Sequence, residues 1–246
     1  MSAHVVDSTQ RDATQRVVLQ RTVRGVWAGL PALLTGSVVL TLAIALTAIL
    51  GGGLTPWSLL LSPLVVGPPL TGLAGVCHDI VVEDDATIRN WARATRRTAR
   101  LGIGLLVIPA TPAVLLMVAV VVHERTASPV WLAPMAISSS ATLLAVFTLL
   151  AAVPAAIARP DLRGVALWAT ALHLVGRWPV RFAAPLTVLG LGLWAGLAIT
   201  GTLLPLVPGP VLLLAAAAFW SSAIELGATD LSSPHDLTPA ERITTS

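Results

Sequence analysis

The chain has 246 residues, of which 55% are hydrophobic and 11% charged, and its mean hydropathy is +0.84. Soluble domains carry about 25% charged residues, so this composition excludes a water-coated globule and points to one helical bundle solvated by lipid. The net charge of +3 comes from arginine, fifteen residues with no lysine, and the single cysteine, Cys77, excludes an intrachain disulfide or a cysteine-based zinc site.

Residues 1–25 are polar, with Arg11, Arg16, Arg21 and Arg24 set against Asp7 and Asp12. A charge-free run follows over 26–50. It is longer, and starts later, than the apolar core of about 7–15 residues in a signal peptide, so it reads as the first membrane span. A short uncharged connection leads to a second run, 57–77. Inside it stand Gly67, Pro68 and Pro69. A proline in a helix interior removes a hydrogen bond and kinks the helix. The kink is expected either to open a pocket lined by Thr71 or simply to shape the packing.

The next connection holds His78, Asp79, Glu83, Asp84 and Asp85, with no recognised metal-ligand spacing. Asp84 and Asp85 stand where they would cap the start of a helix. That helix is predicted over 86–100 and expected to lie on the inner leaflet. Helical spacing puts Ile88, Trp91, Thr95 and Ala99 on one stripe and Arg89, Arg93, Arg96, Arg97 and Arg100 on the other.

The third run is 101–122 and the fourth 131–153, with the one arginine of the short loop between them at Arg125. A long connection then carries Arg159, Arg163, Arg177 and Arg181 and is expected to form a second cytoplasmic helix. Runs five (183–204) and six (205–224) meet at Pro205, Pro208, Gly209 and Pro210, which force a tight turn. In the fifth, Gly192 and Gly196 make a small-xxx-small pattern that lets helices approach closely. Glu225 marks the end of the last span, and 227–246 reads as a disordered polar tail.

Each run reaches the roughly 20 residues that a helix needs to cross about 30 Å of hydrocarbon. The predicted fold is all-α: a polytopic transmembrane bundle over 26–226, with six spans as three antiparallel hairpins linked by two cytoplasmic interfacial helices. Cytoplasmic segments retain arginine, and fourteen of the fifteen fall on one side. Both termini and both long connections are therefore expected in the cytoplasm, with the protein in the plasma membrane. The stretches 63–106 and 148–191 repeat a pattern of span, arginine-rich helix and span, in parallel rather than inverted sense.

Some of these residues carry a family resemblance. The segment Val66-Gly67-Pro68-Pro69-Leu70-Thr71-Gly72-Leu73, followed by an acidic linker and the basic aromatic helix from Asn90 to Arg100, resembles the YesL family of small bacterial membrane proteins. The proline-containing span end from Val153 to Arg159, and the segment from Leu172 to Pro179, look like a second part of that pattern. The chain departs from it at Thr98-Ala99, where the family usually has Asn-Phe, and at Thr95, where it has Phe. The resemblance spans most of 26–226 and implies an accessory role beside carbohydrate uptake.

No charged residue lies within any of the six runs, whereas ion-coupled transporters usually carry ionisable groups there. No phosphate-cradling loop, zinc-protease motif or nucleophile elbow is present. The reading is a non-enzymatic interaction protein with no cofactor and no metal. Its expected partners are anionic inner-leaflet lipids and a membrane transport protein, and not nucleic acid. The alternative is a transporter or channel for a neutral small solute that uses the kinked second span.

Overall fold

The computed structural model describes residues 2–82 and 87–225, with side chains placed from Gly25 onward apart from Ile224. The described residues form seven α-helices and no strand: α1 Ser2–Leu50, α2 Pro56–Val82, α3 Ile88–Thr126, α4 Leu132–Ala158, α5 Gly164–Arg177, α6 Pro179–Ala198 and α7 Pro208–Glu225. Six stretches are long and apolar enough to span a membrane. Helices suit this sequence because each satisfies its own backbone donors in a solvent that offers no partners.

The connections explain where the helices end. After α1, Gly52 and Gly53 adopt φ of 70° and 106°, a left-handed conformation that glycine takes without a steric penalty. Thr55 and Ser58 then cap α2 reciprocally. The Ser58 N–H donates to Thr55 Oγ1 at 3.3 Å and the Thr55 N–H to Ser58 Oγ at 3.0 Å.

α3 starts at a Thr87 cap, whose hydroxyl accepts from the Asn90 N–H at 3.3 Å. Capping by Asp84 and Asp85 was expected instead; both lie outside the described residues. From Thr87 the helix continues for 39 residues. The basic segment is therefore not a separate interfacial helix but the first third of the third-span helix. No proline stands between Ile88 and Ile108 to break it, and a change of polarity alone does not end a helix. The second arginine-rich connection differs. There Pro179 follows Trp178, whose φ of −130° and ψ of 60° are not helical, as expected for a residue ahead of proline. α5 is thus a separate helix, and the internal repeat fails at this point.

α6 also begins before the expected 183 and stops at Ala198. A 3-10 turn, Gly201–Leu206, precedes α7. Thr200 caps that turn, and Pro205, Pro208 and Pro210 leave no continuous helix across it. Residues 199–207, predicted as span, lie outside α6 and α7, although Gly201–Leu206 enters the sixth apolar stretch, Gly201–Ala223, as a 3-10 turn.

α2 is the centre of the bundle, packed on α1, α3, α4 and α7. Every residue from Thr71 to Cys77 is buried, so this stretch meets protein on all sides. α5 lays Leu167, Ala171, Leu174 and Val175 against the core, the i, i+4, i+7, i+8 spacing of an amphipathic helix. At the open end of the last hairpin, Arg181 on α6 is ion-paired to Glu225 on α7. The ring of Trp178 lies beneath two guanidinium groups, 5.2 Å from Arg177 and 5.7 Å from Arg181. α7 is tied to α2 through Trp220, whose indole N–H donates to His78 Nδ1 at 3.4 Å.

Candidate functional site

The densest arrangement is the seam between α2 and α3. α2 carries Gly67, Thr71 and Gly75 four residues apart, and α3 carries Ala94, Thr98 and Gly102 at the same interval. Small residues at this spacing form a flat strip along one helix face. The strips run antiparallel and meet pairwise. A Cβ on Gly67 would lie 2.7 Å from the Gly102 carbonyl carbon, and one on Gly75 would lie 3.1 Å from the Ala94 Cβ. Beside them, a Cβ on Gly72 would overlap Thr95.

Between the glycine contacts sits a hydroxyl pair. Thr98 Oγ1 is 3.0 Å from Thr71 Oγ1 and 2.8 Å from the Ala94 carbonyl. Thr71 Oγ1 lies 3.1 Å from the Pro68 carbonyl and 3.3 Å from those of Gly67 and Thr98. Each hydroxyl has one proton, so the pair shares these acceptors rather than filling them all. The effect is a polar lock at a place where the prolines have thinned the helix ladder.

Of the two alternatives at this break, the geometry fits the one that shapes the packing. α2 remains helical through Pro63, Pro68 and Pro69. Gly67, Pro69 and Thr71 are buried and Pro68 is half-buried, because α3 fills the space that the kink would have opened. At the neighbouring proline the repair is local: Ser62 Oγ donates to the Leu59 carbonyl at 2.8 Å, the acceptor that Pro63 leaves without an N–H.

The arginine stripe is as predicted: Arg89, Arg93, Arg96, Arg97 and Arg100 are all exposed. The opposite stripe packs on protein rather than lipid. Trp91, Thr95 and Ala99 are half-buried against the bundle, while Ile88, expected to join them, is exposed. The Trp91 indole wedges against α1, 3.2 Å from where a Cβ on Gly36 would stand, and its N–H is buried with no acceptor among the described residues. Thr95 and Thr98, where the chain departs from the YesL pattern, are the residues that meet Gly72 and Thr71. The larger Phe of that pattern would not fit at position 95 against Gly72.

The register of the seam is unequal. Gly67 is the midpoint of the apolar run 57–77, whereas Gly102 is the second residue of the run 101–122. The third run is therefore displaced along the seam, away from the connection between α2 and α3, by about nine residues, roughly 14 Å.

The other candidates lie elsewhere. Arg159 forms a two-bond pair with Asp161, at 3.0 and 3.1 Å, on the exposed corner after α4. The hydrogen bond from Arg159 holds the Asp161 carboxyl below the usual carboxylate range. Gly192 and Gly196 face the connection to α7 instead of a helix: a Cβ on Gly192 would lie 2.6 Å from Val207, and one on Gly196 would overlap Leu204. Gly196→Leu is therefore expected to lower the thermal aggregation temperature in detergent by several degrees. Leu197→Ile, at a position 81% exposed, should leave it within about a degree, since surface changes stay within about 0.5 kcal/mol. Among the described residues no group of three His, Cys, Asp or Glu converges on a possible metal position.

The seam was missed in the sequence, although both four-residue strips are visible there. What one sequence does not reveal is that the two strips face each other. No protein-family model matches the chain, and no curated protein and no solved structure is found to resemble it.

Proposed function

We propose that this integral membrane protein is a non-enzymatic interaction protein that packs against a transport partner in the plasma membrane. The closed centre of the bundle carries this reading. A solute path through the kinked second span would need space beside Gly67, Pro68 and Pro69, and Gly102 occupies it backbone to backbone. The link to carbohydrate uptake rests on the YesL-like segments 66–73 and 90–100. The surface available to a partner includes α6, the least buried of the six apolar stretches, with Leu191, Trp194 and Leu197 exposed.

A photo-crosslinker at Trp194, used in native membranes, is expected to capture a permease subunit, and liposomes holding the purified chain should show no sugar flux above empty ones. Flux carried by the chain alone would overturn the reading.

The arginine asymmetry orients the protein with both termini inside. Single cysteines at Ser128, Thr87 and Val165 in a Cys77→Ser background test this in intact cells. A membrane-impermeant thiol reagent is expected to label Ser128→Cys only. Strong labelling at Thr87→Cys would reverse the topology.

A further inference from the structure

The seam register conflicts with a flat bilayer. Judged by its charge-free run 57–77, α2 would meet the inner boundary near Cys77 and the midplane at Gly67, while Gly75 packs beside Ala94 and Gly67 on Gly102. Arg93, Arg96, Arg97 and Arg100 therefore stand level with the inner half of the apolar stretch of α2. α1 gives the same level through a separate contact. The Trp91 indole meets Gly36, about 16 Å inside the inner end of the apolar stretch Gly25–Leu50.

Tilt does not remove the conflict. Helix axes in contact are about 8–10 Å apart, and an offset of roughly 14 Å across that gap would need a tilt of about 60°, above the observed range of about 0–40°. The four arginines are exposed, on the face turned away from α2. A guanidinium at hydrocarbon depth is tolerated when the bilayer thins locally and phosphate or water comes to it. Guanidinium and phosphate are matched as a two-bond donor and acceptor.

On the orientation proposed above, we propose that the inner leaflet is pinched along the exposed face of α3, where Arg93, Arg96, Arg97 and Arg100 hold the phosphates of anionic phospholipids below the usual headgroup level, progressively deeper toward Arg100, which stands nearest the bilayer midplane. The site is a stripe on the lipid-facing side of the seam, and its ligand class is the phosphodiester headgroup of an acidic lipid. The small-residue seam is what fixes its depth, because glycine contacts permit only one register between α2 and α3.

The test uses the full chain in nanodiscs of equal phosphatidylglycerol and phosphatidylcholine. Gentle extraction should retain phosphatidylglycerol preferentially. R93Q/R97Q and R96Q/R100Q should each lower that preference roughly thirtyfold, given about 1 kcal/mol for each basic residue at an anionic surface. Lysine at the same positions should keep most of it.

A second arm keeps all the arginines and reads depth from nitroxide labels in a Cys77→Ala background. Ala92→Cys should be broadened by lipids bearing a paramagnetic headgroup, while Val38→Cys, on exposed α1 surface near the Gly36 level, should respond to oxygen as hydrocarbon does. Unchanged lipid preference in well-folded pair variants would overturn the site. So would an Ala92 label that is aqueous without headgroup contact, the result for a stalk clear of the membrane. Loss of a co-purifying acidic protein in the pair variants, with no lipid preference in the parent, would assign the face to a protein instead.

Discussion

Gly102→Leu is expected to separate α2 from α3 and to leave a chain that no longer elutes as one species in detergent. A Cβ at this position already overlaps the Gly67 carbonyl and comes within 2.8 Å of Thr71 Oγ1. Three further carbons would have to enter a space held on the other side by backbone. Overpacking usually costs about 1–3 kcal/mol and occasionally more. With backbone against backbone there is no flexible side chain to yield, so the upper end applies. For a chain of this length about 3 kcal/mol corresponds to roughly 10 °C of thermal midpoint. The control lies two residues along the same helix. A Cβ on Gly104 meets nothing within 4 Å, so Gly104→Leu should stay within about two degrees of the parent in the same thermal scan. Equal behaviour of the two variants would mean that the seam is not closed at Gly67.

The second large effect is a coupling. Gly72→Ala alone should destabilise by about 1–3 kcal/mol, because the new methyl meets Thr95 Oγ1 and stands 2.9 Å from Thr95 Cβ. Thr95→Ala alone removes a hydroxyl that donates to the Trp91 carbonyl at 2.9 Å, a local bond within one helix, and should cost little. The double variant should recover at least half of the first loss, since the closest atom is gone. A double-mutant cycle read by thermal aggregation should thus give a coupling above about 1 kcal/mol, in the range for residues in direct contact. Additive effects would place Thr95 away from Gly72.

Much of this was legible in the sequence, and for definite reasons. The six spans follow from charge-free length, a property of the bilayer rather than of packing. The arginine stripe followed from helical spacing, and all five arginines are exposed. Helix ends were less legible where they were inferred from polarity. The junction at Arg100 and Leu101 is a sharp change of polarity but contains no breaker, so α3 runs through it. Trp178 and Pro179 sit within a less abrupt change and do break the chain.

The candidate site was only half readable. Gly67 and Thr71 were singled out for the proline break beside them, with Thr71 left between lining a pocket and shaping the packing. Its hydroxyl faces Thr98, because the strip at Ala94, Thr98 and Gly102 lies opposite. That pairing is a property of two helices together, and neither strip specifies its mate. Gly192 and Gly196 show the same limit: the pattern does signal close approach, but what approaches is the turn bearing Leu204 and Val207.

The burial of α2 bears on how the protein is made. Its most apolar window has a mean hydropathy of 1.6, against 2.7 for α3, and 56% of that window is buried inside the protein, against 22% for α3. A segment carrying three internal prolines and a run of glycines and threonine gains little from lipid alone. α3, the most apolar of the six stretches, follows it after a five-residue gap. During synthesis α2 would therefore wait at the side of the translocation channel until its successor emerged, and the two would pass into the membrane as one unit. The chain order thus acts as a timetable, in which a helix that gains little from lipid is made immediately before the most apolar one, which can carry it in.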